Sequence, residues 1–391
     1  MKKLLAAVCA GIALVSLGAC ARLDERAATL PPQSERQRQA LAEANGMVTF
    51  ENKAYFTMDG DLYRLDEKDK LTCLQERFQL ITVLDGMLYG LFVREGYDGA
   101  IYTELAVFHP DGAGPSSLYA MNMYEGHYYD EETGTVYLCT REVTARESQD
   151  GVDEGFDAFP DYDSGRQTHA VIAYTLTTGA TARAAILYGG WNYQLTATGI
   201  YYTTEVAIYH TEYFGNTYVV YEDLNPPQDF TVVNGAIYYS DYDAFYTIDT
   251  DSGEQQRLAE LNDYETPVYD GEWVYLSGCR VNLDSGEKED IPLPEGRYWF
   301  AAYDYVYYQK QDDFATLYFY DVTGGHTGKI RGKKDIFTDT VGAGKTVMIK
   351  DGYLYFVRVD IDYGYRNEFA GEFELYKIKL GTNAAERIKT E

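Results

Sequence analysis

The acidic stretch between Arg141 and His169 holds the residues best suited to bind a metal ion. Asp161 and Asp163 are one residue apart and precede Gly165, so their carboxylate oxygens lie close together, as calcium prefers. The stretch lacks the sixth-position glycine and closing glutamate of a calcium loop, and the alternatives are a basic partner or a solvated loop without fixed structure. We expect no cofactor, with calcium as the one candidate.

Motifs of catalysis are missing from the sequence. It has no phosphate-binding glycine loop, no Gly-x-Ser-x-Gly nucleophile motif and no paired-histidine metal motif. The five histidines are scattered, and among 62 acidic residues chance carboxylate pairs carry no information. We therefore predict that the protein is not an enzyme.

Aromatic residues outside the strand-like segments are candidates for ligand contact, because exposed aromatic side chains bind sugars and peptides. They are Trp191, Tyr193, Tyr213, Phe214, Tyr363 and Tyr365. Most other tyrosines are predicted to be structural. In pairs such as Tyr201-Tyr202, the strand period of two sends one ring to each face of a sheet.

The N-terminal residues have the order of a secretory signal. Lys2 and Lys3 precede an apolar run from Leu4 to Leu17 that is too short to span a bilayer, and Leu17-Gly18-Ala19-Cys20 follows. That motif resembles the lipobox of bacterial lipoproteins, which implies cleavage after residue 19 and diacylation of Cys20. The alternative is an ordinary signal with an incidental cysteine. We expect a protein that its lipid anchors on the outer side of the cytoplasmic membrane, or to the outer membrane if the cell has two membranes.

Residues 20–45 are predicted to be the lipidated cysteine and a tether. Ser34-Glu35-Arg36-Gln37 reads as a capping box, and Gly46 stands where a terminating glycine would, so a short helix is expected. By default this helix is a spacer, since about eleven residues barely offset the nucleation cost.

Composition indicates a globular body over residues 46–391. Apolar residues make up 46% of the chain and aromatics 15%, and the 39 tyrosines favour strands over helices. The net charge of −29 makes nucleic acid an unsuitable partner. Besides Cys9 and Cys20, only Cys73, Cys139 and Cys279 remain, and we predict buried, inert thiols rather than a disulfide framework.

A repeated segment, a turn followed by an apolar residue and Tyr or Phe, occurs eight times. The copies begin at Lys53, Gly86, Gly134, Gly199, Gly235, Gly271, Asp304 and Gly352. Behind them recur near-identical acidic hairpins such as Asp249-Thr250-Asp251-Ser252-Gly253 and Asn282-Leu283-Asp284-Ser285-Gly286. With one more short strand before each segment, every unit has about four antiparallel strands.

Units of this kind cannot be stable alone and must cover one another's apolar faces. We predict an all-β fold, a β-propeller of about eight four-stranded blades. The strand Met47-Val48-Thr49-Phe50 would complete the last unit, begun at Gly352, and close the ring. The alternatives are seven blades with one irregular unit, or two packed β domains.

The Gly-x-Ile-Tyr-Tyr opening at Gly199 to Tyr202, its variant at Gly235 to Tyr239 and the Asp-Ser-Gly hairpins carry a resemblance. They are similar to Tyr-rich bacterial lipoproteins of unknown function, whose propeller is similar to that of low-density-lipoprotein-receptor-related proteins. The resemblance implies scaffold and binding roles and supplies no catalytic residues.

These observations favour a membrane-anchored binding or scaffolding protein outside the cytoplasm, whose partner is a protein, peptide or glycan. One alternative is an extracellular hydrolase or lyase with its site at the propeller axis. Another is a purely structural component of the envelope.

Overall fold

Eight four-stranded antiparallel sheets form the body of the protein. Each is a meander of consecutive strands, and we call the sheets blades 1 to 8 and their strands A to D in chain order. The structure is a computed structural model. It describes residues 30–95, 101–110, 114–121, 123–142, 168–223, 226–227, 230–233, 235–241, 243–261, 267–331, 348–360 and 372–388.

The described elements begin with helix α1 (Glu35–Ala44). Blades 1 and 2 contain β1 (Met47–Phe50), β2 (Lys53–Met58), β3 (Asp61–Leu65), β4 (Leu71–Gln75), β5 (Phe78–Leu84), β6 (Met87–Glu95), β7 (Ile101–Phe108) and β8 (Ser116–Met121). Blades 3 and 4 contain β9 (Tyr124–Asp130), β10 (Thr135–Glu142), β11 (Thr168–Thr175), β12 (Thr181–Tyr188), β13 (Trp191–Leu195), β14 (Gly199–Thr203), β15 (Ala207–Glu212) and β16 (Thr217–Glu222).

The second half of the ring has the same organisation. Blades 5 and 6 contain β17 (Thr231–Val233), β18 (Ala236–Ser240), β19 (Ala244–Asp249), β20 (Gln255–Glu260), β21 (Val268–Tyr269), β22 (Trp273–Leu276), β23 (Cys279–Asn282) and β24 (Lys288–Asp290). Blades 7 and 8 contain β25 (Gly296–Ala302), β26 (Tyr305–Lys310), β27 (Asp313–Asp321), β28 (His326–Lys329), β29 (Met348–Lys350), β30 (Tyr353–Asp360), β31 (Glu372–Lys379) and β32 (Ala385–Arg387).

The core lies in the interfaces between neighbouring blades, which we call seams. Among the described residues, eight clusters of buried side chains each join two neighbouring blades, and one of them packs Met47 and Phe56 of blade 1 against Met348 and Leu375 of blade 8. Strands A of adjacent blades contact each other, as β9 does β13, so strands A surround the axis. The fold is a closed eight-bladed β-propeller, which confirms the eight-blade prediction.

The repeated segment of the sequence forms strand B of every blade. In β14 all five positions are buried, because both faces of a blade pack against neighbours. The turns before these strands contain residues in the left-handed, positive-φ conformation. Asp85 and Gly86 have φ of 51° and 76°, the geometry of a two-residue hairpin. The acidic hairpins join strands C and D, and in them Asp249 accepts hydrogen bonds from the backbone N–H groups of Asp251 and Ser252.

The position of β1 corrects one detail of the prediction. β1 pairs with β2, Met47 opposite Phe56, and is strand A of blade 1, whereas blade 8 takes all four strands from β29 to β32. A two-residue turn at Glu51 and Asn52 brings β1 onto β2 at little loop-closure cost, so the local hairpin forms in place of the long-range pairing. The ring is closed by side-chain packing between blades 8 and 1.

Helix α1 begins after Ser34, whose hydroxyl accepts from the Gln37 N–H while the Gln37 side chain accepts from the Ser34 N–H. Its C-cap is Asn45, in extended conformation, rather than the expected Gly46. The Asn45 side chain bonds both the N–H (3.0 Å) and the C=O (3.1 Å) of Ile349 in β29. The described part of the chain contains no helix with the length and apolar character needed to cross a bilayer.

The three cysteines of the body are free thiols. Cys139 and Cys279 are buried as predicted, but Cys73 is exposed, which corrects the expectation for that residue. It lies on β4, the outermost strand of blade 1, where one face of the strand meets solvent.

Candidate functional site at the seam between blades 3 and 4

A bulge in blade 3 gives Glu125 an unusual position. On β9, Gly126 lies opposite Cys139 of β10, but the register then shifts and Tyr124 lies opposite Thr140. Glu125 is therefore the extra residue, and bulges of this kind redirect a side chain. The Glu125 side chain is 30% exposed, and β9, as strand A, is the strand of its blade nearest the axis.

A buried histidine lies beside this carboxylate. His169 on β11 is 3% exposed, and its Nε2 lies 3.5 Å from Oε1 of Glu125. Its Nδ1 lies 2.9 Å from the hydroxyl of Tyr193 on β13, and that hydroxyl also lies 2.6 Å from the Gly190 carbonyl oxygen. The Tyr193 hydroxyl therefore joins His169 to the backbone that connects blades 3 and 4. We call Glu125, His169 and Tyr193 the His169 chain; it links blade 3 to blade 4.

A second histidine, His127, lies on the other face of blade 3, toward blade 2, and remains neutral. The hydroxyl of Tyr124 is 2.5 Å from Nδ1 of His127, and burial lowers the pKa of His127 to about 4. At neutral pH the uncharged ring therefore accepts a hydrogen bond from the Tyr124 hydroxyl. Burial also raises the pKa of Tyr124, so its phenol keeps that proton.

Cys139 is enclosed in the seam between blades 3 and 4 and is not a nucleophile. It is completely buried, and burial, with a smaller contribution from Glu125, raises the pKa of its thiol far above the usual range. Because the thiolate is the reactive form, this cysteine is inert in the folded protein. The chemical groups offered by the seam are the Glu125 carboxylate and its buried support.

The structure separates the aromatic residues that the sequence suggested for ligand contact. Trp191 and Tyr193 lie on β13 rather than in a loop, and Tyr193 belongs to the His169 chain. Tyr213 stacks on Tyr137 with centroids 3.8 Å apart and is largely enclosed, whereas Phe214 is 63% exposed. Phe214 lies in the turn between strands C and D, at the opposite end of blade 4 from Trp191. Tyr363, Tyr365 and the predicted calcium ligands Asp161 and Asp163 lie outside the described residues, as does Cys20.

Sequence reasoning did not find Glu125 or the two histidines of the same blade. It treated the histidines as scattered, although His127 and His169 occupy strands A and C of one repeat unit. Aligning the units strand by strand would have placed both in one blade. The bulge that brings Glu125 to His169 has no sequence signature.

A pocket elsewhere in the ring is a weaker candidate. It has a volume of about 310 Å³ between blades 1 and 2 and is lined by Asp59, Gly60, Asp61, Arg77, Val93, Glu95 and Ile101. Part of its charge is already paired: Arg77 lies 3.8 Å from Glu95, and Asp61 accepts from the Arg77 backbone N–H. Within the described ranges, no group of three or more His, Cys, Asp or Glu residues has metal-binding geometry.

Comparison with known proteins identifies no family. No family model matches the sequence, and no curated protein is significantly similar to it. Among solved structures it resembles a puromycin hydrolase, at 12% identity and a TM-score of 0.46 over 92% of this chain and 56% of that chain. It also resembles Pyrococcus horikoshii acylaminoacyl peptidase, at 10% and 0.45 over 88% and 52%. An oligogalacturonate lyase in complex with manganese matches at 12% and 0.40, over 84% and 85%.

These matches correct the prediction that the chain is not an enzyme, since the proteins it resembles are a hydrolase, a peptidase and a lyase. The chain spans little more than half the length of the hydrolase and the peptidase. At such low identity the likeness concerns the β-propeller fold, and no reaction or substrate is carried over. The resemblance to Tyr-rich lipoproteins stays a prediction beyond the propeller itself.

Proposed function

We propose that this protein is a lipid-anchored propeller outside the cytoplasm that binds a basic segment of a peptide or protein at Glu125. The observation that supports this most is the Glu125 carboxylate, which lies on a bulge of the innermost strand of blade 3, 3.5 Å from a buried histidine. A carboxylate fixed in advance loses little side-chain entropy when it pairs with an ammonium or guanidinium group.

Charge and a neighbouring aromatic ring support the same ligand class. The net charge of −29 attracts cations over long range and speeds their encounter with the protein. Trp191 begins β13, the strand A next to β9. An aromatic ring near a carboxylate favours cationic side chains through cation–π contact.

The test is fluorescence anisotropy with a labelled Lys/Arg-rich peptide, an Ser/Ala-rich peptide of equal length and a neutral oligosaccharide, at physiological salt. We expect the basic peptide alone to bind and Glu125→Gln to weaken it about tenfold, equivalent to about 1.4 kcal/mol. The control is Glu132→Gln, an exposed carboxylate at the other end of the same blade. Equal losses in both variants would show diffuse charge attraction and reject the site.

Anchoring is tested separately. Mass spectrometry of the protein from the membrane fraction should find a diacylated N-terminal Cys20, and Cys20→Ser should be released into the soluble fraction. A Cys20→Ser variant that stays with the membrane, or unmodified Cys20 in the wild type, would reject the lipid anchor.

The His169 chain also favours a second candidate function, a hydrolase or lyase at the propeller axis. Glu125 lies beside an imidazole whose other nitrogen is engaged by Tyr193, an arrangement that suits a carboxylate acting as general base. Assays on peptide, ester and uronate substrates would then show turnover that Glu125→Gln abolishes and Glu132→Gln preserves. Turnover unaffected by Glu125→Gln would remove this candidate.

A further inference from the structure

Helix α1 is fastened to one face of the propeller. Gln37 Nε2 donates to Asp270 at 2.9 Å, and the Arg36 guanidinium pairs with Asp284. Asp270 is 3% exposed and also accepts from the Tyr275 hydroxyl at 2.9 Å, so its position is fixed from inside the blade. The helix is therefore attached to blade 6 through charged and polar groups.

Close backbone approach and apolar packing add to this attachment. A Cβ on Gly271, which has φ of 92°, would lie 2.5 Å from the Arg36 carbonyl oxygen and 2.6 Å from Ala40 Cβ, so the helix rests directly on the turn. Leu30 and Leu41 pack against the core between blades 7 and 8. Residues 30 to 45 thus lie on the face that carries the A–B and C–D turns, which we call the helix face.

The site lies toward the other face. In a meander of four strands, the B–C and D–A connections share the end opposite the A–B and C–D turns. Glu125 is near the start of β9, next to the D–A connection that enters blade 3. Tyr193 of the His169 chain bonds Gly190, in the D–A connection between blades 3 and 4. The candidate site and the helix therefore belong to opposite ends of the blades.

The helix face is also acidic. Its exposed turn residues include the acidic Glu67, Glu131, Asp251, Glu254 and Asp351 and the basic Lys68, whereas Asp284 is paired with Arg36. An anionic lipid surface repels such a face at distances within about 8–10 Å, the Debye length at physiological salt. Between Cys20 and Leu30 there are ten residue steps, which reach at most about 36 Å when fully extended. The tether is long enough to clear the repulsive layer and short enough to keep this face near the membrane.

We infer that α1 is an orienting clamp: it directs the helix face toward the lipid surface and presents the Glu125 site away from it. This inference rests on the anchoring through Cys20 in the proposed function. Without the docked helix, a flexible tether of residues 20–45 would let the propeller turn freely, and the site would face the membrane as often as the medium.

The test is energy transfer from a donor dye on the propeller to acceptor-labelled vesicles of phosphatidylcholine and phosphatidylglycerol carrying the lipidated protein. In a Cys73→Ser background, the dye is attached through Asp251→Cys or Asp243→Cys, exposed positions flanking β19 at its two ends. These ends are roughly 25 Å apart. We expect transfer about twofold higher from position 251 than from position 243.

Two variants determine whether the helix causes the difference. Arg36→Ala, Gln37→Ala and Leu41→Ala together remove the polar contacts of the clamp and the packing of Leu41, and should bring the two transfer values together. Arg38→Ala is the control, because Arg38 pairs with Glu35 of its own helix, and it should preserve the difference. Flotation of wild-type protein with the vesicles, lost in Cys20→Ser, verifies the anchor. Flotation with equal transfer in the wild type would reject the clamp, whereas failure to float would reject the anchor instead.

Discussion

Two seams of the ring differ in the side chains that they bury. The seam between blades 8 and 1 is almost wholly apolar, with Phe56, Leu71 and Met348 completely buried. The seam between blades 3 and 4 buries His169, Cys139 and several tyrosines among smaller aliphatic side chains. The seam between blades 8 and 1 has the composition of a domain core, whereas the seam between blades 3 and 4 also buries polar and titratable side chains.

The difference follows from how the chain connects the blades. Blades 3 and 4 are joined by the short link at Gly189 and Gly190, so their association costs little chain entropy. Blades 8 and 1 are distant in sequence and held by packing, by the Lys377 to Asp69 ion pair at 2.7 Å, and by Asn45. Polar groups are tolerated where a covalent link already holds two blades together.

The largest expected effect comes from the apolar seam. Phe56→Ala leaves a cavity where blade 1 meets blade 8, and we expect the free energy of unfolding to fall by about 3–5 kcal/mol. Urea denaturation followed by circular dichroism measures the loss. Phe214→Ala, at a position 63% exposed, is the control and should change stability by less than about 0.5 kcal/mol. Similar losses in both variants would contradict the importance of this seam.

His127, on the face of blade 3 that meets blade 2, should make stability depend on pH. The folded-state pKa of His127 is lowered to about 4, below its ordinary 6.5, so below pH 6.5 the unfolded chain binds a proton that the folded chain refuses. Stability should fall by roughly 3 kcal/mol as the pH drops from 6.5 to 4.

His127→Gln should remove most of that pH dependence, and His109→Gln, at an exposed position, should leave it unchanged. Urea midpoints at several pH values report both. A slope that persists in His127→Gln would assign it to other groups.

Asn45 tests the polar fastening of the apolar seam. Asn45→Ala leaves the N–H and C=O of Ile349 without their partner, and we expect a loss of about 1–2 kcal/mol in urea denaturation. Asn216→Ala, in an exposed turn, should cost less than about 0.5 kcal/mol. No difference between the two would mean that packing alone closes the ring.

The smallest effect should come from one hydroxyl of the His169 chain. Tyr193→Phe removes the group that links His169 to Gly190 and should cost about 1 kcal/mol, measured as a shift in the urea midpoint. Tyr188→Phe, at a position 77% exposed, should be neutral. A neutral Tyr193→Phe would show that the hydroxyl does not support the imidazole.

The architecture was largely predictable because its signals are local. A turn, an apolar residue and an aromatic identify strand B, and near-identical hairpins such as those at Asp249 and Asn282 mark the end of strand C. β1 was misplaced because its alternation fits strand A of any blade. Glu125 and His169 escaped notice because their meeting depends on a register shift between β9 and β10.

The assignment of β1 to blade 1 has a consequence for assembly of the ring. Every blade is one contiguous piece of chain, so all sheet pairing is between sequence neighbours and each blade can form as soon as its own residues are available. Among the described elements, the meeting of blades 8 and 1 and the docking of α1 bring together distant parts of the chain, and neither involves a shared sheet. Circularly permuted versions opened at any D–A connection should keep all eight sheets intact and merely move the discontinuity to another seam.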